Sequence, residues 1–76
     1  MTQTRTPFAQ LIDDNWRQLF DFSFRMTLSR DTAAAAVKEA FLRAYVGQES
    51  IPGAGSVRVW LLRIVHHVLE HQVSRA

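Results

Sequence analysis

The chain has 76 residues, 47% of them apolar, which suits one small domain with a single hydrophobic core. Nine Lys and Arg against seven Asp and Glu give a formal net charge of +2, which excludes an acidic disordered tail and a low-complexity chain. The lack of cysteine excludes a disulfide scaffold, a cysteine-based zinc finger and thiol catalysis. No apolar run reaches the ~20 residues of a membrane span, and residues 1–7 lack the apolar core of a signal peptide. We therefore expect a cytoplasmic protein without a membrane anchor.

Positive charge is concentrated in residues 58–76. Arg58, Arg63 and Arg75 occur there with three histidines and a single carboxylate, Glu70. This distribution is compatible with an anionic partner such as nucleic acid. An ordinary solvated helix face explains the charge equally well.

The first predicted helix covers residues 7–28, where apolar residues recur at three- and four-residue spacing. Pro7 suits the first turn, because its missing N–H is not needed there, and Thr6 is the expected N-cap. The segment at 29–32, Ser-Arg-Asp-Thr, is rich in capping residues and predicts a break.

The second predicted helix carries an apolar stripe from Ala33 to Tyr45, with residues at helical spacing along one face. Gly47 is a natural stop at its C-terminal end. Residues 48–56 contain the run Ile-Pro-Gly-Ala-Gly and predict a loop.

The third predicted helix begins after Ser56, its expected N-cap, and runs to about residue 73 with a broad apolar stripe. No segment alternates with a period of two, so strands are not expected. The predicted fold class is all-α, a small bundle of three main helices that forms one domain over residues 1–76. Its expected core consists of Phe41, Val37, Trp60, Ile64, Leu61, Leu19 and Phe20.

No residue pattern predicts catalysis. Gly53 and Gly55 are not followed by the Gly-Lys-Ser/Thr of a phosphate-binding loop. Asp13 and Asp14 are adjacent and point about 100° apart on a helix. His67 and His71 share a helix face at a spacing that metals use, but no Asp, Glu or Cys is placed to complete a site. The sequence predicts no enzyme, no metal site and no cofactor.

Two segments carry a family pattern in the correct order and spacing. The first is Lys38-Glu-Ala-Phe-Leu-Arg-Ala-Tyr45, and the second, after a loop, is Val59-Trp-Leu-Leu-Arg-Ile-Val65. Together they resemble region 2 of bacterial extracytoplasmic-function (ECF) sigma factors, which reads Glu-x-Phe-Leu-Arg-Ala-aromatic and then Trp-Leu-x-x-Ile. The resemblance covers about residues 8–75. It implies a sigma region 2 domain, with region 4 absent from this chain, that acts in transcription initiation.

The resemblance implies a polymerase-binding face on the second helix, which in this family docks on the clamp helices of the RNA polymerase beta-prime subunit. The corresponding positions here are Ala34, Ala35, Lys38, Glu39 and Leu42. The acidic pair of the family falls on the two alanines and its glutamine falls on the lysine. Polymerase docking is therefore expected to be weaker than the family norm.

The resemblance also implies a DNA-binding site, because in this family the loop and the third helix melt the minus-ten element and capture a flipped base of the non-template strand. His67 stands where the family often has asparagine, and His71 stands at the family's aspartate. The implied DNA-binding positions are Ile51, Arg58, Arg63, His67, His71 and Arg75.

The scaffold positions match the family better than the functional positions do, and this leaves two functions open. One is an ECF-type region 2 that binds RNA polymerase core and promoter DNA. The other is a sigma-mimicking module that binds an anti-sigma factor or another regulator without binding DNA. A helical bundle unrelated to sigma factors is a third alternative.

Overall fold

The computed structural model describes residues 7–47 and 57–74. Three helices make up these ranges, namely α1 over Pro7–Thr27, α2 over Arg30–Val46 and α3 over Val57–Ser74. The all-α class and the three predicted helices are confirmed, with ends that lie within a few residues of the expected ones. The predicted loop over 48–56 and the expected caps Thr6 and Ser56 lie outside the described residues.

The turn between α1 and α2 is shorter than predicted. Ser29 has an extended backbone, and its hydroxyl accepts a hydrogen bond from the N–H of Thr32 at 3.2 Å, so it is the N-cap of α2. Helix α2 consequently begins at Arg30, and the prediction of a break over 29–32 is wrong for its last three residues. Leu28, with φ of 56°, takes the left-handed conformation that ends many helices and turns the chain back.

One core joins the three helices, and α2 lies at its centre. Four of the six buried residues of α2 are alanines, and these small side chains let the neighbouring helices approach the α2 backbone. Longer side chains from α1 and α3 fill the remaining space. The buried apolar residues are Leu19, Ala33, Ala36, Val37, Ala40, Phe41, Ala44, Leu61, Val65, Val68 and Leu69.

The predicted core is confirmed for Leu19, Val37, Phe41 and Leu61, which are buried. Phe20, Trp60 and Ile64 are only partly buried and pack against the core from its edge. The reason is geometric, since a three-helix bundle covers the middle of each apolar stripe and leaves its borders facing solvent.

A buried amide ties α1 to α3. The Nδ2 of Asn15 donates to the carbonyl oxygen of Leu11 at 2.9 Å, and its Oδ1 accepts a hydrogen bond from Nε of Arg58 at 3.2 Å. Both ends of the amide are therefore satisfied, which removes most of the penalty for burying it.

Ser23 offers a stabilising substitution. Its side chain is fully buried, and its Oγ has no hydrogen-bond partner within the part of the chain that the structure describes. A buried unsatisfied hydroxyl opposes folding by about 1–3 kcal/mol. We expect Ser23→Ala to raise the free energy of unfolding by about 1 kcal/mol and Tm by roughly 4–8 °C in thermal denaturation followed by circular dichroism.

The matched control is Ser29→Ala, which removes a serine hydroxyl that does accept a hydrogen bond. Loss of this N-cap should lower stability by about 1 kcal/mol. A fall in Tm for Ser23→Ala as well would contradict an unsatisfied hydroxyl at that position.

Candidate nucleic-acid and polymerase interface

The outer side of α2 holds the five positions implied for polymerase binding. Four of them are exposed and Glu39 is half-buried. Their spacing along the helix brings them together in one strip, which we call the α2 strip and which consists of Ala34, Ala35, Lys38, Glu39 and Leu42. The methyl groups of the two alanines and the side chain of Leu42 make most of this surface apolar. Lys38 and Glu39 supply its charge.

A groove lies between the C-terminal end of α2 and the first turns of α3. It encloses about 490 Å³ and opens to solvent, and we call it the α2–α3 groove. Its lining residues are Arg43, Gly47, Trp60, Arg63, Ile64 and His67. The volume falls within the usual range for small-ligand pockets.

The chemistry of the α2–α3 groove suits an anion that carries a flat ring. Arg43 of α2 and Arg63 of α3 bring two guanidinium groups to it, and among the lining residues within 7–47 and 57–74 there is no carboxylate. Nε of Arg43 lies 3.1 Å from Oε2 of Glu39. This ion pair is exposed and contributes at most about 1 kcal/mol, so a phosphate can compete for the guanidinium. Trp60 is half-buried and adds an aromatic surface.

His67 and His71 extend the groove side of α3 toward the C-terminus. Their rings lie 4.3 Å apart between centroids in an edge-to-face arrangement, and both side chains are exposed. His66 belongs to another side of α3, because its ring lies 6.3 Å from that of Phe22 on α1 and its Nδ1 lies 3.8 Å from Oε1 of Glu70. Within residues 7–47 and 57–74 no three potential metal ligands come together.

Arg58 is separated from the other implied DNA-binding residues. Its guanidinium is tied to Asn15, and it lines a different hollow, between α1 and α3, with Gln10 and Asp14. His67 follows Arg58 by nine positions, which turns the two side chains about 180° apart on the helix. The structure thus brings Arg63, His67 and His71 to one side of α3 and Arg58 to the other. Ile51 and Arg75 lie outside the described residues.

Among the polar and aromatic residues of the α2–α3 groove, Arg43 and Trp60 were not predicted as site residues from the sequence. Arg43 stands inside the segment used for the resemblance, one turn before the end of α2, and that position next to the α2–α3 connection was the available signal. Trp60 was predicted to be a core residue because it falls on the apolar stripe of α3. Periodicity alone does not distinguish a buried aromatic from one at the border of a groove.

Three helices around one core, with a cationic and aromatic groove, make this a small all-α domain. Over 63 residues, which is 83% of this chain, the sequence is 35% identical to the RNA polymerase sigma factor YlaC of Bacillus subtilis (strain 168). The chain spans 36% of the length of that relative. This similarity supports the resemblance seen in α2 and α3, and the matched residues form a sigma factor-like region. No protein-family model and no solved structure matches it.

None of the helices formed by residues 7–47 and 57–74 combines the length and the apolar character needed to cross a membrane.

Proposed function

We propose that this chain is region 2 of an ECF-type sigma factor, a single domain that binds RNA polymerase core and the promoter minus-ten element. The observation that carries the DNA-binding part is the α2–α3 groove, whose lining includes two arginines from different helices and a half-buried tryptophan. Such a domain works by binding in the cytoplasm, where transcription takes place, and needs neither catalysis nor a cofactor.

In this proposal the groove holds one unstacked base of the non-template strand together with its flanking phosphates. Arg43 and Arg63 contact the phosphates, while the base stacks on Trp60. His67 offers a ring nitrogen for a hydrogen bond to the base edge, and His71 continues the contact along α3. Ile51 and Arg75 extend the same site in the resemblance. Arg58 acts on DNA only through its long-range charge, because Asn15 holds it on the opposite side of α3.

The polymerase contact is assigned to the α2 strip. Lys38 and Glu39 provide the polar contacts with the beta-prime clamp helices, and Leu42 provides an apolar one. The ion pair between Glu39 and Arg43 links this strip to the α2–α3 groove, so polymerase and DNA would occupy adjacent surfaces of one helix.

The DNA contact is tested by fluorescence anisotropy with a labelled, single-stranded minus-ten non-template oligonucleotide at several salt concentrations. Affinity should fall steeply as salt rises, because each neutralised phosphate releases counterions. Arg63→Gln should weaken binding several-fold and make the slope of log affinity against log salt shallower by about 0.7. Trp60→Leu should weaken binding by about 1–3 kcal/mol, which reports the loss of base stacking.

Arg30→Gln is the matched control, since Arg30 is exposed at the opposite end of α2 from the groove. It should leave both the affinity and the salt slope nearly unchanged. Equal effects of Arg30→Gln and Arg63→Gln would show that binding is non-specific and does not use the groove.

The alternative function is a sigma-mimicking module that binds an anti-sigma factor without binding DNA. Its support is the substitution of the family's acidic pair by Ala34 and Ala35, which leaves the α2 strip smooth and mostly apolar. Absence of oligonucleotide binding even at low salt, together with tight binding to an anti-sigma protein, would favour this alternative.

A further inference from the structure

The three histidines of the chain all lie on α3, at positions 66, 67 and 71, and the chain has no cysteine. Imidazole nitrogen is a preferred ligand of Cu²⁺, Ni²⁺ and Zn²⁺ in proteins. In a chain without thiols, an ion of this class is therefore expected to bind on α3, where imidazoles are concentrated. The question is whether two of them can reach one ion.

The geometry of His67 and His71 suits chelation. The two side chains are one helical turn apart on one face, and their ring centroids are 4.3 Å apart. An ion about 2.0–2.1 Å from one nitrogen of each ring lies roughly 3 Å from both ring centres, so rings that chelate it lie about 4–5 Å apart. The observed separation falls in this range. Both side chains are exposed, so an ion can reach them and the rings can turn to present their nitrogens.

The charges near this pair select the class of ion. Arg43 and Arg63 line the same groove as His67, and their positive charge opposes the binding of any cation. Glu70 is the acidic residue of α3, and its Oε1 lies 3.8 Å from Nδ1 of His66, on another side of the helix. Mg²⁺ and Ca²⁺ require oxygen ligands, chiefly carboxylates and carbonyls, so this pair does not suit them. An ion that binds imidazole strongly is the one that can overcome the repulsion.

We propose that His67 and His71 form a two-histidine site for a divalent transition-metal ion, which binds Cu²⁺ most tightly and Ni²⁺ and Zn²⁺ more weakly. One nitrogen of each ring binds the ion, and water fills its remaining coordination positions. No metal site was expected from the sequence, because a third protein ligand is missing. Two imidazoles one turn apart nevertheless act together, since the second binds intramolecularly once the first has bound. The ion links two turns of α3 and stabilises the folded chain.

The test is calorimetric titration of the untagged full chain with the chloride salts of Cu²⁺, Ni²⁺, Zn²⁺ and Mg²⁺. We expect saturable binding of the three transition-metal ions, tightest for Cu²⁺, and no measurable binding of Mg²⁺. His67→Gln and His71→Gln should each weaken Cu²⁺ binding by about tenfold or more, because a single imidazole of the pair remains. The ions that bind should also raise the Tm of the unmodified chain, and either substitution should remove that increase.

His66→Gln is the matched control, because it removes an exposed histidine from another side of α3 and should leave Cu²⁺ binding unchanged. Adding Arg63→His to His71→Gln restores two imidazoles at four-residue spacing and should recover most of the lost affinity.

The proposal is overturned if none of the three transition-metal ions binds, or if Mg²⁺ binds as tightly as Cu²⁺. It is also overturned if His66→Gln weakens binding as much as His71→Gln does, or if Arg63→His recovers no affinity. The substituted positions are all exposed, so the variants should fold. Because neither DNA nor polymerase is present, a failure here is independent of any failure of the proposed function.

Discussion

Phe41→Ala should lower the free energy of unfolding by about 3–5 kcal/mol and leave much of the protein unfolded at ambient temperature. The Phe41 ring is buried in the core formed by the three helices. Truncation removes its apolar burial and leaves a cavity that rigid helices fill only in part. A domain of this size has a total stability of only a few kcal/mol, so the loss is comparable with the whole. Urea and thermal denaturation followed by circular dichroism measure it.

The neighbouring residue supplies the control. Leu42 is exposed beside the buried phenylalanine, and Leu42→Ala should change stability by no more than about 0.5 kcal/mol. An unchanged Tm for Phe41→Ala, or equal losses for the two variants, would contradict the packing of α2 at the centre of the bundle.

Restoring the family's polar residues on the α2 strip should strengthen polymerase binding by about two orders of magnitude. The variant combines Ala34→Glu, Ala35→Asp and Lys38→Gln. Charge-assisted hydrogen bonds contribute roughly 1.5–3 kcal/mol each, so two restored bonds are sufficient for this gain. All three positions are exposed on the solvent side of α2, so folding should be preserved. Calorimetric titration with a beta-prime clamp-helix fragment measures the affinity.

A control variant must add the same negative charge elsewhere. Gln18→Glu, Arg25→Gln and Met26→Glu together change the net charge by the same amount on exposed positions of α1. This variant should bind the clamp fragment as the unmodified chain does. Equal affinities of the restored variant and the unmodified chain would mean that this face of α2 is not the polymerase contact. Loss of a regulatory partner by the restored variant would support the sigma-mimicking alternative.

The helices were predictable from the sequence because local signals define them. Pro7 marks the start of α1, Gly47 is the C-cap of α2, and the apolar stripes repeat at helical spacing throughout. The start of α2 was misplaced because Ser, Asp and Thr in one run each favour a cap, and only the hydrogen bond from Thr32 to Ser29 shows which residue caps the helix. Such a choice depends on backbone geometry that composition does not encode.

The candidate site was only partly predictable. The resemblance located the α2 strip and the three residues on the groove side of α3, since both follow from position along a helix. It did not separate Arg58 from them, because that separation depends on the hydrogen bond to Asn15, which is 43 residues away in sequence. Nor did it identify Arg43 and Trp60 as residues of the α2–α3 groove. A groove between two helices is defined by how their faces are opposed, which no single helical stripe specifies.

The most direct test of the central claim is retention of a labelled minus-ten non-template oligonucleotide by core RNA polymerase, with and without this domain. The account predicts that the domain and the core together retain the oligonucleotide, whereas the core alone retains little. It also predicts that Trp60→Leu combined with Arg63→Gln abolishes the gain while Arg30→Gln preserves it. Retention that is the same with and without the domain would contradict a sigma region 2 function.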